Sequence, residues 1–447
     1  MADTSTSPES FLALLAPANN SGVLGLARAT LDGSSFTLDV AASGLTPGQP
    51  HPLQIHGFAD GGTEHLATIA DDTNADGRIS LAEGAAATGG VLLDPGGSTT
   101  ADAAGRLAYS ATATLDPNNP DQAALLDHLA GRVVEANGAV PGPGAAFDPT
   151  LPAAEGQLIA LPDQPALAGL TQATDQAFLT GASALLAQLA PYTLNPEGTG
   201  PSAAEPAGTM LSGSGTYAAL LVPSNNSGAL GAAVVQLDEA NATVSLDLWM
   251  TGLTPGEPHG AHIHGFSDNA PSLLPNAQLD ADRDGFVEDQ EGEHVVGPVI
   301  LALTQDGSIS DAALTANFPA ADAQGNLHLQ ESYHFDTGNP AQRLIFSELE
   351  MRLTGREVQV HGLDVAAGQG AGTPNEVHGE AGYSPSLPVA NGILLPVDAA
   401  TGGQLMALGD ALQATLSQTT SGGGEVDWNA LAQQIEQNVG ATDQWFA

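Results

Sequence analysis

The chain is written twice, and that repeat limits its fold more than any other feature. "LLAPANNSGVLG" (Leu14 to Gly25) returns as "LLVPSNNSGALG" (Leu220 to Gly231). "SGLTPGQPHPLQIHGF" returns as "TGLTPGEPHGAHIHGF". His51 and His259 lie 208 positions apart, and so do Asp72 and Asp280, so the intervening stretch aligns without a gap. "GRVVEANG" (Gly131 to Gly138) returns as "GREVQVHG" (Gly355 to Gly362), and "AAEGQLIALP" returns more weakly as "VANGILLPVD". A repeat of this length means two copies of a whole domain rather than a solenoid of small units.

Within each copy the pattern is β. "GSSFTLDVAASGL" and "NATVSLDLWMTGL" alternate apolar and polar residues and stop at Gly-Leu-Thr-Pro-Gly, a turn signal. "GRLAYSATATL", "GNLHLQESYHF" and "EVQVHGL" read the same way. Short strands punctuated by Gly and Pro predict a mainly β chain. The expected architecture is two tandem antiparallel Greek-key sandwich or barrel domains, each followed by a helical segment. The expected boundaries are 10–163 for copy one, 164–211 for a helical segment and linker, 212–398 for copy two and 399–447 for a helical tail. The first helical stretch is "ATDQAFLTGASALLAQLA", ahead of the Pro/Gly/Ser/Ala linker "NPEGTGPSAAEPAGT". In the tail, "GGQLMALGDALQATLSQ" reads as helix, and Trp428, Leu431, Ile435 and Val439 share one helical face behind an Asp427 N-cap.

Charge sets the class of partner. The chain has 51 acidic and 8 basic residues, a net charge of -43, and no cysteine. Such a field repels nucleic acid and anionic membrane surfaces and attracts cations. No run approaches the roughly 20 apolar residues of a membrane span. Without thiolates, a tightly held metal must use histidine, carboxylate or carbonyl ligands.

Two acidic stretches supply hard-oxygen ligands. "DTNADGRISLAE" (Asp72 to Glu83) and "DADRDGFVEDQE" (Asp280 to Glu291) fit the twelve-residue calcium loop of the EF-hand. Positions 1, 3 and 5 are Asp72, Asn74 and Asp76 in one copy and Asp280, Asp282 and Asp284 in the other. Gly77 or Gly285 at position 6 permits the sharp turn. Arg78 or Phe286 at position 7 would offer its carbonyl, and Glu83 or Glu291 at position 12 can bind bidentately. Calcium takes six to eight oxygens, which this spacing folds round one point. Two calcium ions are the expectation. No pair of clear amphipathic helices frames either loop, so a calcium loop grafted onto a β-domain is expected.

Histidines mark a second kind of site. His262 and His264 alternate on a strand and so share a face, and His361 lies on a later strand. Three imidazoles in that pattern suit copper, and zinc less well. His259 just precedes the strand and reads as a turn-capping residue. His294 is a possible additional ligand, because it follows the second acidic loop where copy one has Ala86. The matching positions in copy one are His51, Gln54, His56 and Asn137, so only copy two is expected to keep a metal site.

These residues resemble the copper/zinc superoxide dismutase family. "GLTPGEPHGAHIHGF" looks like that family's Gly-Leu-x-Pro-Gly-x-His-Gly-Phe-His-Val-His segment, and "GREVQVHGLD" like its Gly-Arg-x-x-Val-Val-His segment. The resemblance implies that His262, His264 and His361 are copper ligands and that His259 and Arg356 are structural. The stretch also resembles CHRD domains, which carry a similar "HIHG" phrase and are not known as enzymes. The sequence departs from the dismutase pattern in several places. It has no bridging histidine and no zinc-loop set, Pro388 stands where that family carries its substrate-guiding arginine, and Asn391 stands where it carries a disulfide cysteine.

Two functions follow as expectations. One is a non-catalytic, calcium-stabilised extracellular module that binds copper through copy two in a matrix, surface or metal-sequestering role. The other is a copper-only superoxide dismutase acting through copy two, against which the negative field opposes capture of an anion. A secreted bacterial protein is expected, because calcium is abundant outside cells. "MADTSTSPESFLALLAP" has no basic n-region, so a route other than Sec is expected. The tail "ATDQWFA" resembles signals read by a type I secretion apparatus, and it reads equally as a docking helix. Self-association or a cell-surface or matrix partner is the remaining expectation.

Overall fold

A computed structural model describes residues 8–96, 99–161, 173–311, 317–374, 376–399 and 402–403. The helical calls on 404–447, including the Trp428 face and the terminal tail, lie outside the described residues.

Copy one runs β1 (Glu9–Pro17), β2 (Leu24–Asp32), β3 (Ser35–Ser43), β4 (Pro50–His51), β5 (Leu53–Gly57), helix α1 (Leu81–Thr88), β6 (Gly90–Leu93), β7 (Thr99–Thr100), β8 (Leu107–Thr114), helix α2 (Pro120–Asp127), β9 (Val133–Ala139), β10 (Asp148–Gln157) and β11 (Ile159–Leu161). Helix α3 (Asp175–Leu189) falls where the sequence predicts it. Copy two runs β12 (Gly215–Pro223), β13 (Leu230–Asp238), β14 (Thr243–Thr251), β15 (Ala261–His264), helix α4 (Asp289–Val296), β16 (Val299–Ala302), β17 (Leu327–His334), helix α5 (Pro340–Met351), β18 (Glu357–Val365), β19 (Gly382–Ile393) and β20 (Leu395–Val397).

The strand orders are the same. Copy one pairs as β6-β5-β9-β10-β1-β2-β3-β8 and copy two as β16-β15-β18-β19-β12-β13-β14-β17. Every pairing between these strands is antiparallel. The first strand of each copy joins the two layers. β1 runs along β2, while Ala16 and Pro17 at its end cross to β10. Each sheet therefore curls over its own core. Phe36, Leu38 and Val40 on β3, and Val244, Leu246, Leu248 and Met250 on β14, alternate inward and are fully or almost fully buried. Each contributes about 1.5–3 kcal/mol relative to exposure. The period-2 pattern read from the sequence is thus the core face of each sheet.

The copies meet through the repeated Asn-Asn-Ser-Gly. Asn19, Asn20, Asn225 and Asn226 all have φ between 50° and 53°, a left-handed conformation that asparagine tolerates better than most residues. Their bonds are reciprocal. The Asn19 N–H donates to Asn226 Oδ1 and the Asn225 N–H to Asn20 Oδ1, each at 2.7 Å. Asn20 Nδ2 donates to the Gly285 carbonyl (3.0 Å), and Asn226 Nδ2 to the Gly77 carbonyl (3.2 Å). Paired contacts of this kind are those of an isologous dimer, here built within one chain. Helix α3 adds to the junction: Phe178, Leu179, Ala182 and Leu186 pack with Leu24 and Ala41 of copy one and Val222 of copy two.

Candidate metal centres

The two acidic loops lie back to back across this junction. A Cβ on Gly77 would fall 2.6 Å from Gly285 Cα, and one on Gly285 2.5 Å from Gly77 Cα. Position 6 therefore needs glycine twice over, once for its positive φ (75° and 95°) and once for the other loop. Each loop follows a short 3-10 turn, Ile69–Asp71 or Ala277–Leu279, and leads into an eight-residue helix, α1 or α4. The sequence did not lead us to expect these short helical flanks.

Within the loops, carboxylates already accept backbone N–H groups. Asp72 Oδ2 takes Gly77 N (2.8 Å) and Asp280 Oδ2 takes Gly285 N (3.1 Å). Asp76 Oδ1 takes Arg78 N (3.0 Å) and Asp284 Oδ1 takes Phe286 N (2.9 Å). Glu83 Oε2 bonds to the Ser80 amide and hydroxyl, and Glu83 Oε1 to Thr73 and the Asn74 amide. Glu291 Oε1 takes Ala281 N at 2.7 Å.

The loops differ in charge. Loop one offers Asp72, Asp76 and Glu83. Loop two offers Asp280, Asp282, Asp284 and Glu291, and adds Glu288 at position 9, where copy one has Ser80. Among the described residues, Asp280, Asp282 and Glu291 bring ligand oxygens within 4.8 Å of one another, as do Asp282, Asp284 and Glu288. The carboxylates of loop one form no such group. Glu288 is fully buried, and its side chain meets the Glu291 amide in the capping box that opens α4. Burial, with the neighbouring carboxyls, pushes Glu288 up to about 10, Asp284 to about 7 and Asp280 to about 6. A crowd of desolvated carboxylates is costly unless a cation answers it. One cation in reach is Arg78 of loop one, whose Nη2 lies 3.3 Å from Asp280 Oδ2.

The histidines of copy two converge in the sheet. His262 and His264 come from β15 and His361 from the adjacent β18. Their ligand nitrogens lie within 4.8 Å of one another, and the three residues are 1%, 6% and 2% exposed. His264 Nδ1 is 2.9 Å from the Gly297 carbonyl and His361 Nδ1 is 2.6 Å from the Ser386 carbonyl. A carbonyl only accepts, so both Nδ1 atoms carry the proton and both Nε2 atoms present lone pairs. Those two Nε2 atoms are buried without a hydrogen-bond partner. Burial pulls His264 and His361 down to about 4, so both rings stay neutral. This is a metal-ligating tautomer fixed by outer carbonyls. The residues present therefore fit a three-imidazole metal.

Copy one resolves the same positions differently. Asn137 Nδ2 donates to Gln54 Oε1 at 3.1 Å. His56 Nε2 lies 3.4 Å from Gln54 Oε1 and 3.3 Å from Glu135 Oε2. The ring nitrogen that would bind metal is engaged by side chains. His51 and His259 serve equivalent structural roles, each bridging two backbone carbonyls. His294 is exposed on α4 and joins no cluster among the described residues.

Arg356 is fully buried, and its two Nη atoms have no hydrogen-bond partner. Its counterpart Arg132 is ion-paired with buried Glu64, a position that copy two fills with Ser272. Sequence reasoning missed Glu288, although an acidic residue at loop position 9 was visible. It also missed Asp289, whose Oδ1 lies 3.5 Å from His361 Nδ1.

No helix among the described residues is long and apolar enough to cross a membrane. No curated protein matches the chain. The family model of the CHRD domain matches residues 211–425, the stretch that holds the histidine triad and the second acidic loop.

Proposed function

We propose that this chain is a secreted, calcium-binding tandem β-domain protein whose second copy binds one copper ion through His262, His264 and His361, in a non-catalytic matrix, surface or metal-sequestering role. The observation that carries the reading is the pair of buried, unpartnered Nε2 lone pairs on His264 and His361, beside His262, in copy two alone. Three buried imidazoles with no acidic ligand form a nitrogen-only set that copper accepts. The two twelve-residue loops supply the calcium sites, with Glu288 added to the ligand set of the second. An extracellular setting follows from the calcium sites and the acidic, cysteine-free composition.

The dismutase alternative rests on the matched ligands. Three observations weigh against it: the near-complete burial of the triad, Pro388 as the cross-strand partner of His361, and the net charge of -43. Metal analysis after refolding in calcium with trace copper and zinc tests the proposal. The expected content is two calcium and one copper per chain. Calcium without any histidine-dependent metal would remove the copper function. Copper-loaded protein that dismutes superoxide rapidly would replace the non-catalytic reading with the enzymatic one.

A further inference from the structure

The second acidic loop and the histidine triad are joined by one short helix. Glu288, the N-cap of α4, faces the loop, with an oxygen within 4.8 Å of ligand oxygens of Asp282 and Asp284. The next residue, Asp289, opens α4 and faces the other way, with Oδ1 3.5 Å from His361 Nδ1. Glu291, at loop position 12, lies in the first turn of the same helix. At the far end, the C-cap Gly297 gives its carbonyl to His264 Nδ1 at 2.9 Å. The ten residues from Glu288 to Gly297 thus carry two carboxyl groups of the loop at one end and reach two rings of the triad, one from each end.

We infer that α4 couples the two metal sites, so that a cation in the second loop positions His264 and His361 for copper, with Asp289 as the positioning residue for His361. This rests on the proposed calcium and copper sites and adds a regulatory link between them. Without a cation, the carboxyl groups of Asp282, Asp284, Glu288 and Glu291 crowd the N-terminus of α4 with no ion among them to hold them in place. A bound divalent ion draws Glu288 and Glu291 inward and fixes the start of the helix. That in turn fixes Gly297, whose carbonyl holds His264 Nδ1, and Asp289, whose carboxyl lies beside the His361 Nδ1 that the Ser386 carbonyl already holds. Outer partners of this kind typically change metal affinity by about 10–100-fold.

Copy one carries half of the device. Gly89 closes α1 and lies 3.3 Å from His56 Nδ1 through its carbonyl, as Gly297 does for His264. Ser80 and Leu81 stand in place of Glu288 and Asp289, so no side chain there links the loop to a ring on the neighbouring strand. The full link occurs only in the copy that has a complete triad.

The sign of the effect is diagnostic. Direct repulsion between two cations would make calcium weaken copper binding, but solvent and salt screen that term over about a Debye length. Positioning makes calcium strengthen it. The test measures Cu2+ affinity of the full chain by chelator competition, in calcium and in its absence, with the copper EPR spectrum recorded in both states. The expected result is about tenfold tighter copper binding in calcium, a changed EPR spectrum, and an equal tightening of calcium by copper, as linkage requires. Asp289→Leu and Glu288→Ser install the residues of copy one. Each should still bind copper but shrink the calcium effect below about threefold, whereas Asp289→Asn, which keeps an acceptor for His361 Nδ1, should restore part of it. If both metals bind wild-type protein and neither alters the other's affinity, or if calcium weakens copper, the coupling is wrong and the sites stand. If calcium does not enter the loop or copper does not enter the triad, the functional proposal fails and the coupling fails with it.

Discussion

Copy one and copy two share a strand order, a twelve-residue acidic loop and a turn-bridging histidine, yet they treat the same three interior positions in opposite ways. In copy one, Gln54, His56 and Asn137 are linked through side-chain contacts, and the interior there is closed chemically. In copy two, His264 and His361 turn donors outward to carbonyls and leave two lone pairs facing inward beside His262. Both solutions are buried, but they leave different atoms unanswered: an amide oxygen, Asn137 Oδ1, in copy one, and the ring nitrogens His264 Nε2 and His361 Nε2 in copy two. The difference teaches that the number of histidines matters less here than which ring nitrogen the surrounding carbonyls occupy.

The sharpest way to break this comparison is to exchange the triads. His262→Gln with His361→Asn should give copy two the amide network of copy one and abolish copper binding, with far-ultraviolet circular dichroism unchanged. The reverse exchange, Gln54→His with Asn137→His, should add a second copper site, of lower affinity because Glu135 still contacts His56. A copy-one graft that takes up no copper would mean that the α4 end of copy two, and not the triad alone, makes the site.

A second contrast concerns buried cations. Arg132 has Glu64 as its partner, while copy two has Ser272 in the place of Glu64 and leaves both Nη atoms of Arg356 without a hydrogen-bond partner. Removing Glu64 strands a buried charge, so Glu64→Ser should cost about 3–5 kcal/mol of stability in chemical denaturation. A cost below about 1 kcal/mol would show that the ion pair does not distinguish the copies.

The loops provide a third contrast. Calcium at a hundred times its Kd should stabilise the chain by about 2.7 kcal/mol per filled site. The protection gained in hydrogen exchange should concentrate in copy two. In metal-free protein, Asp280 and Asp284 titrate near 6 and 7 when folded, above their unfolded value, so the folded state holds protons that the unfolded state has released. Their stabilisation is present at low pH and is lost as pH rises through those values. His264 and His361, depressed to about 4, act in the opposite sense, but only below about 6.5. Metal-free Tm should therefore fall between pH 6.5 and 8, and calcium should flatten that slope. A slope unaffected by calcium would place the titrating groups elsewhere, for example at Glu135 or Glu376.

The smallest effect belongs to the junction that both copies share. Asn20→Ala removes a side chain that accepts from Asn225 N and donates to the Gly285 carbonyl. It should cost about 1–3 kcal/mol. Asn226→Ala should cost a similar amount if the reciprocity between copies is energetic as well as geometric.

The sequence revealed much of this molecule because repeats and ligand spacings are local patterns. The period-2 strands, the twin loops and His262, His264 and His361 all follow from alternation and turn signals within a few residues. What it hid depends on contacts between distant segments. Asn-Asn-Ser-Gly recurs unchanged in both copies, but only the fold shows that each asparagine pair answers the other across 205 to 207 positions. The roles of Gly297, Ser386 and Asp289 are likewise invisible, because any residue offers a carbonyl and an aspartate after a calcium loop gives no sign of facing a histidine.

The most direct test is a crystal structure grown in calcium with one equivalent of copper, with anomalous difference maps recorded at the copper edge and at long wavelength. The account requires one copper peak bonded to His262, His264 and His361, none near Gln54, His56 and Asn137, and a calcium peak in each loop, with Glu288 among the ligands of the second. Copper in both copies, in neither, or at His294 would contradict it.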